Sequence, residues 1–190
     1  MKRRTTTGER LRTLSLVVLA TAGVAAPAAA QEWRPATFFV QGGNGDGVDA
    51  ASVGVQWPWA WRRTALRGEW TARTELFGIL WRARAADGDG RDNFLQFGLV
   101  PLLRYRFAEG QSPWFVEAGI GLSVTNKLFV SRDKVFGSRW NFSDNLAVGR
   151  SFGEQGRHEV SLRLQHSSNA GLKEPNPGLN LVLLRYSSAF

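Results

Sequence analysis

A histidine and a serine stand two residues apart near the end of the chain, in Val160-Ser-Leu-Arg-Leu-Gln-His166-Ser-Ser168. In this stretch Val160, Leu162, Leu164, His166 and Ser168 alternate with polar residues. On an extended strand they share one face, and residues two apart lie about 6.6 Å from one another. An imidazole so placed can lean over and take the proton of a serine hydroxyl. That is the minimal arrangement for nucleophilic acyl transfer, in which a base activates an otherwise weak alcohol. A plainer reading places both residues at a polar boundary, where they cost little. The choice depends on where the face points, and therefore on the fold.

The rest of the chain alternates in the same way, and no long segment carries apolar residues at helical spacing. Val53, Val55, Trp57 and Trp59 share a face, as do Leu66, Gly68, Trp70 and Ala72. Leu95, Phe97, Leu99, Leu103, Tyr105 and Phe107 form another, and Trp114, Val116, Ala118, Ile120, Leu122 and Val124 a fourth. With Thr37–Gln41, the weaker run from Trp140 to Phe152, the His166 stretch and a terminal run through Val182, Leu184 and Tyr186, the pattern predicts eight strands.

The faces opposite are small or charged: Glu69 with Arg73, Glu117 with Gly119 and Gly121, Arg163 with Gln165. This predicts a narrow barrel with a polar interior and an apolar outside. A soluble lipocalin-like barrel would reverse the two faces. Breaks at about 42–51, 82–92, 125–138 and 169–178 read as long, and those at about 60–65, 108–112 and 153–157 as short. Outer-membrane barrels have this asymmetry, with long loops outside and tight turns on the periplasmic side. An even strand count closes the sheet and leaves no edge for lipid to meet. Trp57, Trp59, Trp81, Trp114, Trp140 and Tyr186 fall where interfacial girdles are expected. The fold class is therefore all-β: an eight-stranded antiparallel transmembrane outer-membrane β-barrel.

The amino terminus agrees with export. Basic residues (Lys2, Arg3, Arg4, Arg10, Arg12) precede an apolar run from Leu14 to Ala26, and Ala28-Ala29-Ala30 follow. This is the pattern of a signal peptide over 1–30, removed to leave a barrel of 31–190. The 190-residue chain carries a formal charge of +8, but five of its 24 Lys and Arg and one of its 16 Asp and Glu lie in this leader. The remainder holds 19 basic and 15 acidic residues, a net +4 with no basic cluster of the kind that tracks a phosphate backbone. Nucleic acid is therefore not an expected partner. Cysteine is absent, so no disulfide framework supports the fold. No His, Asp and Glu cluster has metal-ligand spacing, and neither metal nor cofactor is expected.

With its amino terminus periplasmic, the seventh strand runs outward, which places His166 and Ser168 near its outer end. They would then face the outer leaflet, where acylated glycolipid is found. The residues His166-Ser167-Ser168-Asn169-Ala170-Gly171, then Lys173 and Pro175-Asn176-Pro177-Gly178, followed by a terminal strand ending in an aromatic residue, resemble the lipid A 3-O-deacylase (PagL) family. The motif-bearing likeness covers about residues 160–190, with the remainder agreeing in barrel pattern, length and leader. The resemblance implies an outer-membrane serine esterase that removes the 3-hydroxyacyl chain at position 3 of lipid A. It implies Ser168 as nucleophile and His166 as general base. Asn176 would be an oxyanion donor, with Asn169 and neighbouring amides contributing.

The sequence departs from the family at the third catalytic position. The family's acid, typically Glu, lies fourteen residues after the histidine, and here that position is Asn180. Asn180 shares the face of Val182, Leu184 and Tyr186. An Asn carbonyl can orient a histidine but adds no charge to an imidazolium. Glu174 is the nearest acid, in the loop, and reads as a solvated charge.

The expected partners are lipid A or lipopolysaccharide as substrate, and membrane lipids. The pattern is compatible with a homodimer as with a monomer. Two other readings stand beside the esterase. One is a non-catalytic structural or adhesive barrel with a relic H-x-S site. The other is an acyl transferase on the same scaffold, which would need an acyl-binding interior.

Overall fold

A computed structural model describes residues 34–190; the expected signal peptide lies outside the described residues. Eight strands form one closed antiparallel barrel. They are β1 (Thr37–Gly45), β2 (Val48–Ala65), β3 (Gly68–Arg84), β4 (Arg91–Phe107), β5 (Trp114–Thr125), β6 (Trp140–Phe152), β7 (His158–Ser168) and β8 (Leu179–Ala189). β1 closes the ring on β8, with Thr37 opposite Ala189 and Asn44 opposite Val182.

The period-two pattern has a direct physical result. Val53, Phe97, Leu99, Ile120, Leu122, Leu146, Leu162, Leu164 and Leu184 point outward, each at least half exposed. Apolar exposure on this scale around a whole barrel is unsuited to water and suited to hydrocarbon. The fold is an outer-membrane β-barrel, as the alternation predicts.

Two turns differ from expectation. The break predicted at 42–51 is a two-residue turn, Asp46-Gly47, with Gly45 paired to Val48. Both turn residues have positive φ, 49° at Asp46 and 78° at Gly47, the geometry that joins right-twisted strands most tightly. The glycines before it are strand residues, so this outer connection is short, not long. On the opposite rim the turn expected at 60–65 is Leu66-Arg67, and β2 continues to Ala65 with a register shift between Pro58 and Arg62.

The interior also needs a correction. Its periplasmic half is polar, as expected, but its outer half, beside the buried polar Gln96, Ser143 and Ser167, holds an apolar core. Ile79, Trp81, Phe94, Leu179, Leu181 and Leu183 fill it, all almost fully buried. Trp81 therefore belongs to this core and not to the interfacial girdle, whereas Trp114 and Trp140 are exposed on the outer wall. The loop 126–139 plugs the outer mouth. It folds back through a Val130–Val135 bridge and inserts Phe129 and Phe136. Phe129 meets the rings of Trp81, Phe94 and Phe136 at centroid distances of 5.6, 4.7 and 5.2 Å.

Below this plug lies a buried ion network. Glu75 accepts from Arg185 at 2.9 Å and from Arg163 at 3.2 Å, and Glu117 accepts from Arg163 at 2.9 Å and pairs with Arg104 at 2.8 Å. Arg104 continues to Glu159 at 2.8 Å. Burying these charges is costly unless each is paired, so loss of any one member destabilises the barrel. The outer and middle parts of the interior are thus occupied, and the space at the other end, about 210 Å3 lined by Gln56, Arg73, Arg104, Arg106 and Glu159, is polar and charged. Neither part suits an acyl chain, which points to the wall as the place where an acyl substrate is met.

Candidate active site

β7 and β8 pair so that His166 lies opposite Asn180, with both side chains on the outer wall. Their inward neighbours Gln165, Ser167, Leu179 and Leu181 are buried inside the barrel. His166 Nδ1 lies 2.7 Å from Asn180 Oδ1. The direction of that hydrogen bond is settled on the far side of the amide. Asn180 Nδ2 donates to Asp46 Oδ2 at 3.1 Å, so Oδ1 must be the atom facing the histidine. The imidazole proton therefore sits on Nδ1, and Nε2 carries the lone pair that a general base needs.

Ser168, half-buried, lies one outward position beyond His166 on β7 and opposite Phe142 of β6. The sequence-based expectation that His166, Ser168 and Asn180 share one wall is met.

The loop between β7 and β8 is fastened at several points. Asn169, buried, donates its side-chain amide to Lys173 O at 2.6 Å and its backbone N–H to Asn176 Oδ1 at 3.0 Å. These bonds tie Asn169 into the loop, where it holds Asn176. The carboxamide of Asn176 is tethered to the amide that follows Ser168, with its oxygen occupied and its Nδ2 as the donor. Glu174 does not reach the histidine; it accepts the Asn176 backbone N–H at 2.9 Å and remains exposed.

Gly178 closes the loop against the imidazole. Its φ is +67°, and a Cβ there would lie 2.7 Å from His166 Cε1. Both facts require glycine. The loop is further held to the 126–139 plug by Gly137 N–H donating to Pro175 O at 2.6 Å.

Three residues near the site were not singled out by the sequence. Asp144 of β6 is the register partner of His166 and lies on its other flank, on the same outer wall. Asp46, at the β1–β2 turn, accepts both the backbone and side-chain N–H of Asn180. Lys134, from the plug, donates to Asp46 Oδ2 at 2.8 Å and to Gly178 O at 2.6 Å. Burial pushes the Asp46 carboxyl up, but Lys134 and the two N–H groups of Asn180 outweigh it and hold the group below the ordinary aspartate range. Asp46 is ionised at neutral pH. Asp46 and Lys134 lie far from the H-x-S motif in sequence, and no local pattern marks them.

Beneath His166, toward the membrane centre, the wall carries a shallow groove of about 370 Å3 lined by Ile120, Asp144, Leu146, Leu164, Asn180 and Val182. A polar, oriented histidine beside a serine, at the head of an apolar groove on the lipid-facing wall, fits one kind of protein. The fold and site define an outer-membrane barrel enzyme whose working surface faces lipid.

Comparison with known proteins narrows this class. The chain belongs to the lipid A 3-O-deacylase (PagL) family, whose model matches residues 49–189. It is 32% identical over 151 residues to the lipid A deacylase PagL of Bordetella bronchiseptica, covering 78% of this chain and 80% of that one. It is 31% identical over 150 residues to its counterpart in Pseudomonas aeruginosa, covering 76% and 80%. A crystal structure of the outer membrane enzyme PagL superposes with a TM-score of 0.70 at 28% identity, covering 82% of this chain and all of the other.

Proposed function

We propose that this chain is a lipid A 3-O-deacylase of the outer membrane, with Ser168 as nucleophile and His166 as general base. The 2.7 Å contact between His166 Nδ1 and Asn180 Oδ1 carries this reading, because it leaves Nε2 as a proton acceptor on the strand face that Ser168 shares.

His166 Nε2 takes the proton of Ser168 Oγ as that oxygen attacks the ester carbonyl carbon. The carbonyl oxygen becomes an oxyanion, and Asn176 Nδ2 donates to it. Preorganised donors of this kind are each worth about 10²–10³ in rate. As the tetrahedral species collapses, the bond from the carbonyl carbon to the sugar oxygen breaks. That oxygen takes the proton from His166 and leaves as the 3-hydroxyl of the glucosamine. Water then attacks the acyl-serine with His166 again as base, releasing a 3-hydroxy fatty acid and restoring Ser168. Nucleophile, base and oxyanion donor all come from β7, β8 and the loop between them. The groove lined by Leu146, Leu164 and Val182 seats the acyl chain, which never leaves the hydrocarbon layer.

The test is expression of the full chain in cells of known lipid A composition, followed by mass spectrometry of the lipid. Loss of one 3-hydroxyacyl chain supports the reading, and unchanged lipid from folded barrel refutes it.

A further inference from the structure

We propose that Asp46 is a positioning residue of this site, supplying through Asn180 the negative charge that a carboxylate would otherwise place directly beside His166. The proposal rests on the deacylase reading above and adds to it the source of the histidine's polarisation.

The geometry is continuous. Lys134 Nζ donates to Asp46 Oδ2, which also accepts Asn180 N–H at 2.8 Å and Asn180 Nδ2–H at 3.1 Å, and Asn180 Oδ1 accepts from His166 Nδ1 at 2.7 Å. Two consequences follow. First, an amide facing an imidazole can present either its oxygen or its nitrogen, and only a hydrogen-bond acceptor on the far side makes the oxygen face the ring. Asp46 is that acceptor. Without it the amide is free to turn, and a turned amide would put the imidazole proton on Nε2, where it blocks the base.

Second, the forming imidazolium needs negative charge nearby. Asp144 stands on the far flank of the ring; on the Nδ1 side Asn180 has no charge, but a carboxylate hydrogen-bonded to its N–H polarises the amide, because charge-assisted hydrogen bonds are about twice as strong as neutral ones.

The backbone makes the arrangement stable. Asp46 occupies a left-handed position of the two-residue turn, φ 49°, one of the few residue types besides glycine that tolerate it. The turn therefore carries an acid where the β1–β2 hairpin meets Asn180 of β8. Lys134 fixes that acid from the plug and fixes Gly178, which packs on the imidazole, through its carbonyl.

The experiment exchanges the two groups. Three variants are made in the full chain: Asp46→Asn, Asn180→Asp and the double exchange. Each is refolded into vesicles containing lipid A, its fold is checked by heat-dependent gel mobility, and released 3-hydroxy fatty acid is followed. Asp46→Asn is expected to lower kcat about tenfold, the cost of one charge-assisted interaction, with KM unchanged. Asn180→Asp alone sets two carboxylates against each other and is also expected to lower kcat. The double exchange puts the acid on His166 and an amide behind it, and is expected to return kcat to within about threefold of the unaltered chain, a coupling that neighbouring residues can show.

A residue that merely anchored the turn would give losses that multiply in the double variant, and that result overturns the proposal. So does a folded Asp46→Asn variant of full activity. If the unaltered folded chain releases no fatty acid, the deacylase reading falls and the proposal with it. If that chain is active and Ser168→Ala is silent, any failure belongs to Asp46 alone.

Discussion

Asn180 and His166 face each other across the β7–β8 ladder as register partners, with Oδ1 2.7 Å from Nδ1. Cross-strand pairing, not loop conformation, sets this contact. The base is therefore oriented by the barrel wall itself, on the face that meets lipid.

Removing the orienting amide tests that relationship. Asn180→Ala is expected to lower kcat by about 10²-fold, less than the roughly 10⁴ lost when a charged triad acid is neutralised, because Asn180 brings orientation without its own charge. KM for lipid A should change far less than kcat, since the apolar lining by Leu146, Leu164 and Val182 is kept. Steady-state kinetics on vesicle-bound lipid A reads both quantities.

Gly178→Ala should inactivate without unfolding. The added methyl costs about 1–2 kcal/mol at a left-handed position and lands 2.7 Å from the imidazole ring. Deacylation should fall by at least about tenfold, while heat-dependent mobility of the barrel stays that of the unaltered chain.

Glu75→Gln separates stability from chemistry. Glu75 lies between Arg163 and Arg185, all three nearly fully buried, and loss of its charge leaves two guanidinium groups undercompensated. Breaking such a group costs about 3–5 kcal/mol. The urea midpoint of the barrel, followed by tryptophan fluorescence, should fall clearly, yet the variant should still deacylate below its unfolding transition.

Phe129→Ala should act from a distance. Phe129 is fully buried among Trp81, Phe94 and Phe136 and anchors the loop that delivers Lys134. Truncating a packed Phe costs about 3–5 kcal/mol. Release of the plug should lower activity together with the Asp46 variant's effect, and a double variant with Asp46→Asn should lose little more than either alone.

The barrel was legible in the sequence because period-two alternation is written along every strand from Val53 to Tyr186. His166 and Ser168 were legible because residues two apart on a strand share a face, and Asn180 because the family resemblance places its acid fourteen residues after the histidine. What escaped the sequence is what distant parts of the chain bring together. The Asp46-Gly47 turn looked like part of a long loop, since a run of glycines reads as loop whether or not it pairs. Trp81 looked interfacial, since a tryptophan near a strand end can face either side. Asp46 and Lys134 meet Asn180 only through barrel closure and the folding back of the 126–139 plug. Their presence also bears on the departure at position 180. Asn180→Glu, which restores the acid typical of the family, would bring a second carboxylate against Asp46, so its benefit should appear only alongside Asp46→Asn.

The most direct measurement is the mass of lipid A from cells expressing the full chain, beside cells expressing Ser168→Ala at equal barrel level. The account predicts loss of one 3-hydroxyacyl chain with the unaltered protein and none with Ser168→Ala. Unchanged lipid A from a folded, membrane-inserted barrel, or equal loss with Ser168→Ala, would contradict it.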